Sequence, residues 1–351
     1  MKTILLIISL CTASMHIIHA QIPEGYYGAA EGKTGKDLKS ALYTIIKAHK
    51  TYPYSSSSTD TWDILKESDR DTGNAENVIL FYTGWSVNAD QEYNNGAGWN
   101  REHVWAKSRG DFQTSEGAGT DAHHLRPTDI SVNAARDTRW FDTCSVPYLD
   151  GGKSTGCFTS GTRWVWQPRD EVKGDVARMI FYMATRYEGE NGEPDLRVID
   201  LLPVDDFTQE PVHAKLSALM AWHKEDSVND FEINRNDVIY GFQHNRNPFI
   251  DHPEYVDDVW GPGAPSFDKK HFTSQLLIYP NPVSQYFTVT FHNPDHAAYR
   301  LILFDAAGRV RKIINNISGE IIVSGREDLP AGIYFIELRG PAVYTDKMII
   351  K

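Results

Sequence analysis

The chain has 351 residues, 41% hydrophobic and 23% charged, which excludes wholesale disorder and implies more than one hydrophobic core. Its net charge of −12 is unevenly placed: residues 21–265 carry 24 Lys and Arg against 39 Asp and Glu, residues 266–351 carry 10 against 8. A body this acidic excludes broad electrostatic attraction to a polyanion, so any nucleic-acid chemistry must rest on a local site and a cation.

Met1–Ala20 opens with Lys2, runs apolar through Ile4–Leu10 and ends on Ile18-His19-Ala20. A charged start, an apolar run too short to span a bilayer and a small final residue predict a signal peptide over residues 1–20, hence export. Leu38, Leu42, Ile45 and Ile46 recur at helical spacing behind Thr34, with Asp37 three residues on as in a capping box. Ser55–Ser58 reads as a polar loop, and the apolar, aromatic run Asn77–Trp85 (NVILFYTGW) predicts a buried strand. Removing the signal takes Cys11 and leaves Cys144 and Cys157. An even pair in an oxidising compartment predicts a disulfide, with two unpaired thiols as the alternative. Val172, Val176, Ile180, Met183 and Tyr187 predict a second helix, and Leu216, Leu219, Met220 and His223 a third. These stripes, with His49 and His223, are expected to serve packing.

Gly261-Pro262-Gly263-Ala264-Pro265 would break any regular element. Residues 261–275 are therefore expected to link a body over 21–260 to a unit over 276–351. That unit carries short β-rich runs at Leu277–Val283, Gln285–His292, Tyr299–Phe304, Ile321–Val323, Ile333–Leu338 and Lys347–Ile350. Phe287, Val289 and Phe291 alternate with polar neighbours, and the whole predicts a small antiparallel β-sandwich. Tyr279-Pro280-Asn281-Pro282, Ala307-Gly308-Arg309, Pro330-Ala331-Gly332-Ile333-Tyr334 and the terminal Lys351 resemble the C-terminal sorting domain of type IX secretion. The resemblance implies that the type IX secretion machinery is a partner and that the protein is secreted or held at the cell surface. A carbohydrate-binding accessory sandwich is the alternative, but no aromatic platform is evident.

The densest polar cluster runs from Asn100 to Asp142, where 6 basic residues stand against 7 acidic ones. It holds Arg101-Glu102-His103-Val104-Trp105, then Asp121-Ala122-His123-His124-Leu125-Arg126-Pro127, then Val132-Asn133. The Glu-His spacing is wrong for a zinc metalloprotease helix. No GxSxG elbow is present, and Gly117-Ala118-Gly119 lacks the ending of a phosphate loop. Ala122–Arg126 reads as a strand stopped by Pro127, followed by a helix capped by Thr128 or Asp129 and carrying Asn133. With a strand bearing Glu102-His103 this makes a compact ββα unit. A carboxylate oxygen, an amide oxygen and waters suit a hard cation, magnesium above all, while an imidazole can act as base on water.

These blocks resemble the endonuclease I family of secreted bacterial nucleases, which has the ββα-metal, or His-Me finger, active site. Arg178-Met179-Ile180-Phe181-Tyr182-Met183, Trp222-His223-Lys224 and Asn245-Arg246-Asn247-Pro248-Phe249 extend the likeness over roughly residues 26–260. The resemblance implies an α+β fold: a mainly helical catalytic domain containing a ββα-metal finger, followed by the β-sandwich. It implies His103 as general base, and Glu102 and Asn133 as ligands of one divalent ion, Mg2+ or else Mn2+ or Ca2+. An arginine is expected at the scissile phosphate, with Arg126, Arg136 and Arg139 as candidates. Arg101 and His124 are expected beside the substrate or behind the base. For His123, Arg126 and Asn247, packing or loop capping is an equal alternative, and core packing is the expected role of Trp105 and Trp140.

The implied activity is metal-dependent endonuclease cleavage of DNA, with RNA as a second substrate and little sequence preference. The alternative is a non-catalytic surface protein that binds extracellular nucleic acid or another polymer. Adjacent side chains on a regular strand point to opposite faces, so the strand is expected to end, bulge or twist sharply at Glu102–His103.

Overall fold

The computed structural model describes residues 22–161, 163–200, 211–261, 276–291, 293, 296–326, 329–341 and 343–351. The expected signal peptide, and all of the expected linker except Gly261, lie outside the described residues.

The three helices expected from apolar periodicity form at Gly35–Ile46, Lys173–Arg186 and Leu216–Glu225. Thr34 precedes the first in an extended conformation, but its side chain makes no capping bond. The capping box forms instead on the helix Thr61–Ser68, between Asp60 and Asp63. Lys173–Arg186 is buried at every position from Gly174 to Arg186, so it runs through the core rather than along its edge. Its polar members survive burial because they are paired: Arg178 donates to Glu232 at 2.7 and 2.5 Å.

The run Asn77–Trp85 is only half a strand. Pairing covers Asn74–Ile79, after which the Gly84 amide bonds the Leu80 carbonyl and the chain turns. Gly84 has φ +69°, a conformation that β-branched or aromatic residues adopt only under strain. The turn still buries Phe81 and Tyr82.

Strands Trp99–His103 and Leu125–Asp129 pair antiparallel, and helix Ile130–Arg136 follows at once. Asp129 caps it, accepting from the amides of Ser131 and Val132. The second strand begins later than expected and passes through Pro127. A ribbon of two strands leaves each with an unladdered edge, where a missing N–H costs nothing. The Pro127 carbonyl accepts from the Phe81 amide at 2.8 Å, tying the aromatic turn to the hairpin.

Among the described residues the body is α+β, with four separate small sheets between its helices. The C-terminal unit is strand-rich. One antiparallel sheet orders Leu277–Tyr279, Tyr286–Thr290 and Ile321–Gly325; the other orders Val310–Ile317, Tyr299–Asp305, Gly332–Arg339 and Val343–Ile350. Both supply one core, which includes Phe287, Val289, Leu301, Ile336 and Met348. Val310–Ile317 was absent from the expected strands because this edge strand buries only Ile317.

The expected disulfide is not formed: Cys144 and Cys157 are free thiols. They pack in different clusters. Cys157 joins the main core and bonds the Tyr82 carbonyl at 3.2 Å, whereas Cys144 packs with Trp140, Val165 and Val212.

Candidate active site

His103 is the last residue of its strand, and its Nε2 lies 2.9 Å from the carbonyl oxygen of Gly119. A carbonyl only accepts, so Nε2 donates and carries the ring proton. The ring packs flat on Tyr54, with centroids 5.6 Å apart and planes 21° apart, and meets the edge of His124 at 5.5 Å. Burial, with His124 adding to it, holds the imidazole well below the ordinary histidine pKa. A neutral ring protonated at Nε2 has its lone pair on Nδ1, which makes no hydrogen bond among the described residues.

Gly119 explains how a main-chain oxygen comes so close. A Cβ there would stand 2.6 Å from the Ser115 oxygen and 2.7 Å from the Gln113 oxygen. The adjacent Ala118 carbonyl accepts from His124 Nε2 at 2.7 Å. His124 is fully buried, its pKa lowered by burial to about 4, so it backs His103 instead of reaching substrate. The Gly-Ala-Gly stretch thus serves as a pair of imidazole acceptors, a role that its small residues could have signalled.

Glu102 leaves the hairpin on the other side. Its Oε1 accepts from Tyr82 Oη at 2.7 Å and lies 3.3 Å from Arg136 Nε. Burial raises the pKa of this carboxyl, against the pull of Arg136 and Tyr82. Pairing is regular through Glu102↔Arg126 and His103↔Leu125. Of the expected alternatives the strand takes the first: it ends at His103, with no register shift before it, and alternation sends the two side chains apart.

Asn133 lies one turn before Arg136 on the same helix, so the two share a face, and Arg136 is the one that meets Glu102. It is half-buried. Its amide makes no hydrogen bond among the described residues, whereas the Glu102 carboxylate is met by Tyr82, by Arg136 and by the main-chain N–H of His103. A carboxylate oxygen and an amide oxygen are the donor types that suit a hard divalent cation that keeps most of its waters. No group of three His, Cys, Asp or Glu side chains suited to a metal occurs among the described residues.

The arginines divide. Arg126 is buried between Asp69 at 2.7 Å and Asp175 at 3.0 Å, a structural ion network instead of the expected phosphate contact. Arg136 is also buried; besides Glu102 it donates to the main-chain oxygens of His103 at 3.3 Å and Val104 at 2.5 Å. It therefore fixes the strand end. Arg101, expected beside the substrate, is buried against Tyr54 and Trp62, its guanidinium carbon 3.5 and 3.9 Å from their ring centres. Arg139 is only half-buried and lies over Trp164 at 3.7 Å.

Four contributors were not singled out from sequence: Tyr54, Tyr82, Gly119 and His213. His213 Nε2 accepts from Arg136 at 2.8 Å inside a cage that includes Trp105 and Trp140. Trp105 and Trp140 are themselves fully buried, as expected of core residues.

The family model for Endonuclease I matches residues 34–254, and that for a secretion system C-terminal sorting domain matches residues 277–351. Over 236 residues the chain is 51% identical to a protein of Bacillus subtilis (strain 168) named extracellular ribonuclease, covering 67% of this chain and 78% of the relative. Over 250 residues it is 48% identical to an extracellular ribonuclease of Bacillus amyloliquefaciens, covering 71% and 82%.

Proposed function

The chain belongs to the endonuclease I family, and we propose that this secreted or cell-surface nuclease hydrolyses RNA and DNA through a ββα-metal finger built on Glu102, His103 and Asn133. The names of the two Bacillus relatives support RNA as a substrate. The observation that carries the reading is the bond from His103 Nε2 to the Gly119 carbonyl, because it leaves Nδ1 as the basic atom of a neutral, fixed imidazole.

In this reading Nδ1 of His103 takes a proton from the attacking water. The new P–O bond forms as the bond from phosphorus to the 3′ oxygen breaks; that oxygen takes a proton from solvent water, leaving 5′-phosphate and 3′-hydroxyl ends. In-line displacement puts the entering and departing oxygens on opposite sides of phosphorus. Because the strand ends at His103, a phosphate lying across that end would have the imidazole on one side and the Glu102 carboxylate on the other. A divalent cation held by Glu102 and Asn133, magnesium first with manganese or calcium as alternatives, would supply charge stabilisation at the departing oxygen. Arg136 holds Glu102 and the strand end in place. Arg139, the least buried of the three candidate arginines, is assigned to a backbone phosphate, which implies little sequence preference. The sorting domain supplies the contact with the secretion machinery.

The test is digestion of end-labelled RNA and DNA in magnesium, manganese, calcium and chelator, followed by end-group analysis. Metal-dependent cleavage with 5′-phosphate ends supports the proposal. Products ending in 3′-phosphate or a cyclic phosphate would overturn the mechanism, and absence of metal-dependent cleavage would favour a binding protein.

A further inference from the structure

We infer that Tyr54 is a positioning residue for the His103 imidazole, a role that rests on reading His103 as the base. Arg101 and His103 are two apart on one strand and so share a face. Tyr54 touches both, through its stack on the imidazole and through the guanidinium carbon of Arg101 at 3.5 Å.

The loop is anchored by the same strand. Arg101 donates to the Tyr54 carbonyl, to Thr61 Oγ1 at 2.8 Å and to Ser55 Oγ at 3.1 Å. Thr61 Oγ1 bonds the same Tyr54 carbonyl at 3.0 Å, and Asp60 accepts from the Ser56 amide at 2.8 Å. Residues 55–59 are otherwise exposed, so this anchoring converges on one aromatic ring.

A ring held at Nε2 alone can still rotate about that hydrogen bond and its Cβ–Cγ bond. The flat contact with Tyr54 restricts the plane, while Phe112 at 6.3 Å and His124 at 5.5 Å border it elsewhere. The direction of Nδ1 is thereby set. A misaimed base loses rate and leaves substrate binding intact. The flat ring is the working part; the hydroxyl's contact is with Arg101 and not with the imidazole.

The experiment compares Tyr54→Phe, Tyr54→Ala and Tyr54→Leu in the full chain with wild type and His103→Ala, measuring kcat, KM and the melting temperature. Tyr54→Phe is expected to keep kcat within about threefold, whereas Tyr54→Ala lowers it roughly 10- to 100-fold with KM within about twofold. Tyr54→Leu fills the space without a flat face; it tracks Ala in kcat and serves if Ala does not fold. Wild-type kcat in Ala or Leu, a loss confined to KM, or a Phe variant as slow as Ala would overturn the inference. If His103→Ala itself keeps full activity, the reading of His103 as base fails instead, so the two failures are distinguishable.

Discussion

Gly119 accepts the Nε2 proton of His103 at 2.9 Å, at a position where a side chain would collide with main-chain oxygens 2.6 and 2.7 Å away. Gly119→Ala must move either the carbonyl or the loop. The expected outcome is a loss of roughly 10-fold or more in kcat, with destabilisation of about 1–3 kcal/mol. Steady-state kinetics and urea unfolding of the same preparation check both; a variant with wild-type kcat would separate the imidazole from its acceptor.

Asn133→Ala isolates the cation pair. Asn133 is half-buried and its amide has no hydrogen bond among the described residues to lose, so the fold should keep its melting temperature. The magnesium concentration for half-maximal rate should rise about 10- to 100-fold, with weaker manganese binding by calorimetry. Glu102→Gln should weaken metal binding too, but it also leaves Arg136 buried without its counter-charge, so its melting temperature falls. Unchanged manganese affinity in both variants would contradict the ligand assignment.

Arg126→Met tests a sequence expectation that the structure redirects. Among the described residues, removing the guanidinium leaves Asp69 only Arg235 as counter-charge and Asp175 only the longer contact to Arg178, and is expected to cost about 3–5 kcal/mol, read by urea unfolding. The folded fraction should keep its kcat. A stable variant with a depressed kcat/KM would restore Arg126 as a phosphate contact.

What was legible in the sequence were the features set by local spacing. The periods of Leu38–Ile46, Val172–Tyr187 and Leu216–His223 gave the three helices, and Thr128-Asp129 located the cap of the Asn133 helix, which Asp129 supplies. Features set by distant partners were not legible. Arg126 reads as a candidate for phosphate until Asp69 and Asp175 arrive from 57 and 49 positions away. Tyr54 lies 49 positions before His103, with no motif joining them. Pro127 reads as a stop, and becomes tolerable only once the sheet has two strands. The cysteine pair was inferred from number and compartment, neither of which fixes where two thiols pack.

Stability should fall on the acid side. Burial lowers the pKa of His123, His124 and His223 to about 4, against about 6.5 in an unfolded chain. Each stays neutral in the fold while the unfolded chain binds a proton. The stability present above pH about 6.5 is therefore lost as pH falls toward about 4, by up to roughly 1.4 kcal/mol per pH unit for each of His123 and His124 and by less for His223, which water partly screens. Urea midpoints between pH 7.5 and 4.5 check this; a flat profile would show that these imidazoles protonate freely in the folded protein.

The central claim is that the imidazole of His103 performs the chemistry on a nucleic acid bound independently of it. The most direct measurement is single-turnover cleavage of labelled RNA and DNA by His103→Ala in magnesium, paired with substrate binding by the same protein. Binding within about threefold of wild type and a cleavage rate lower by roughly 100-fold or more are expected. Cleavage at the wild-type rate, or loss of binding that accounts for the whole defect, would contradict it.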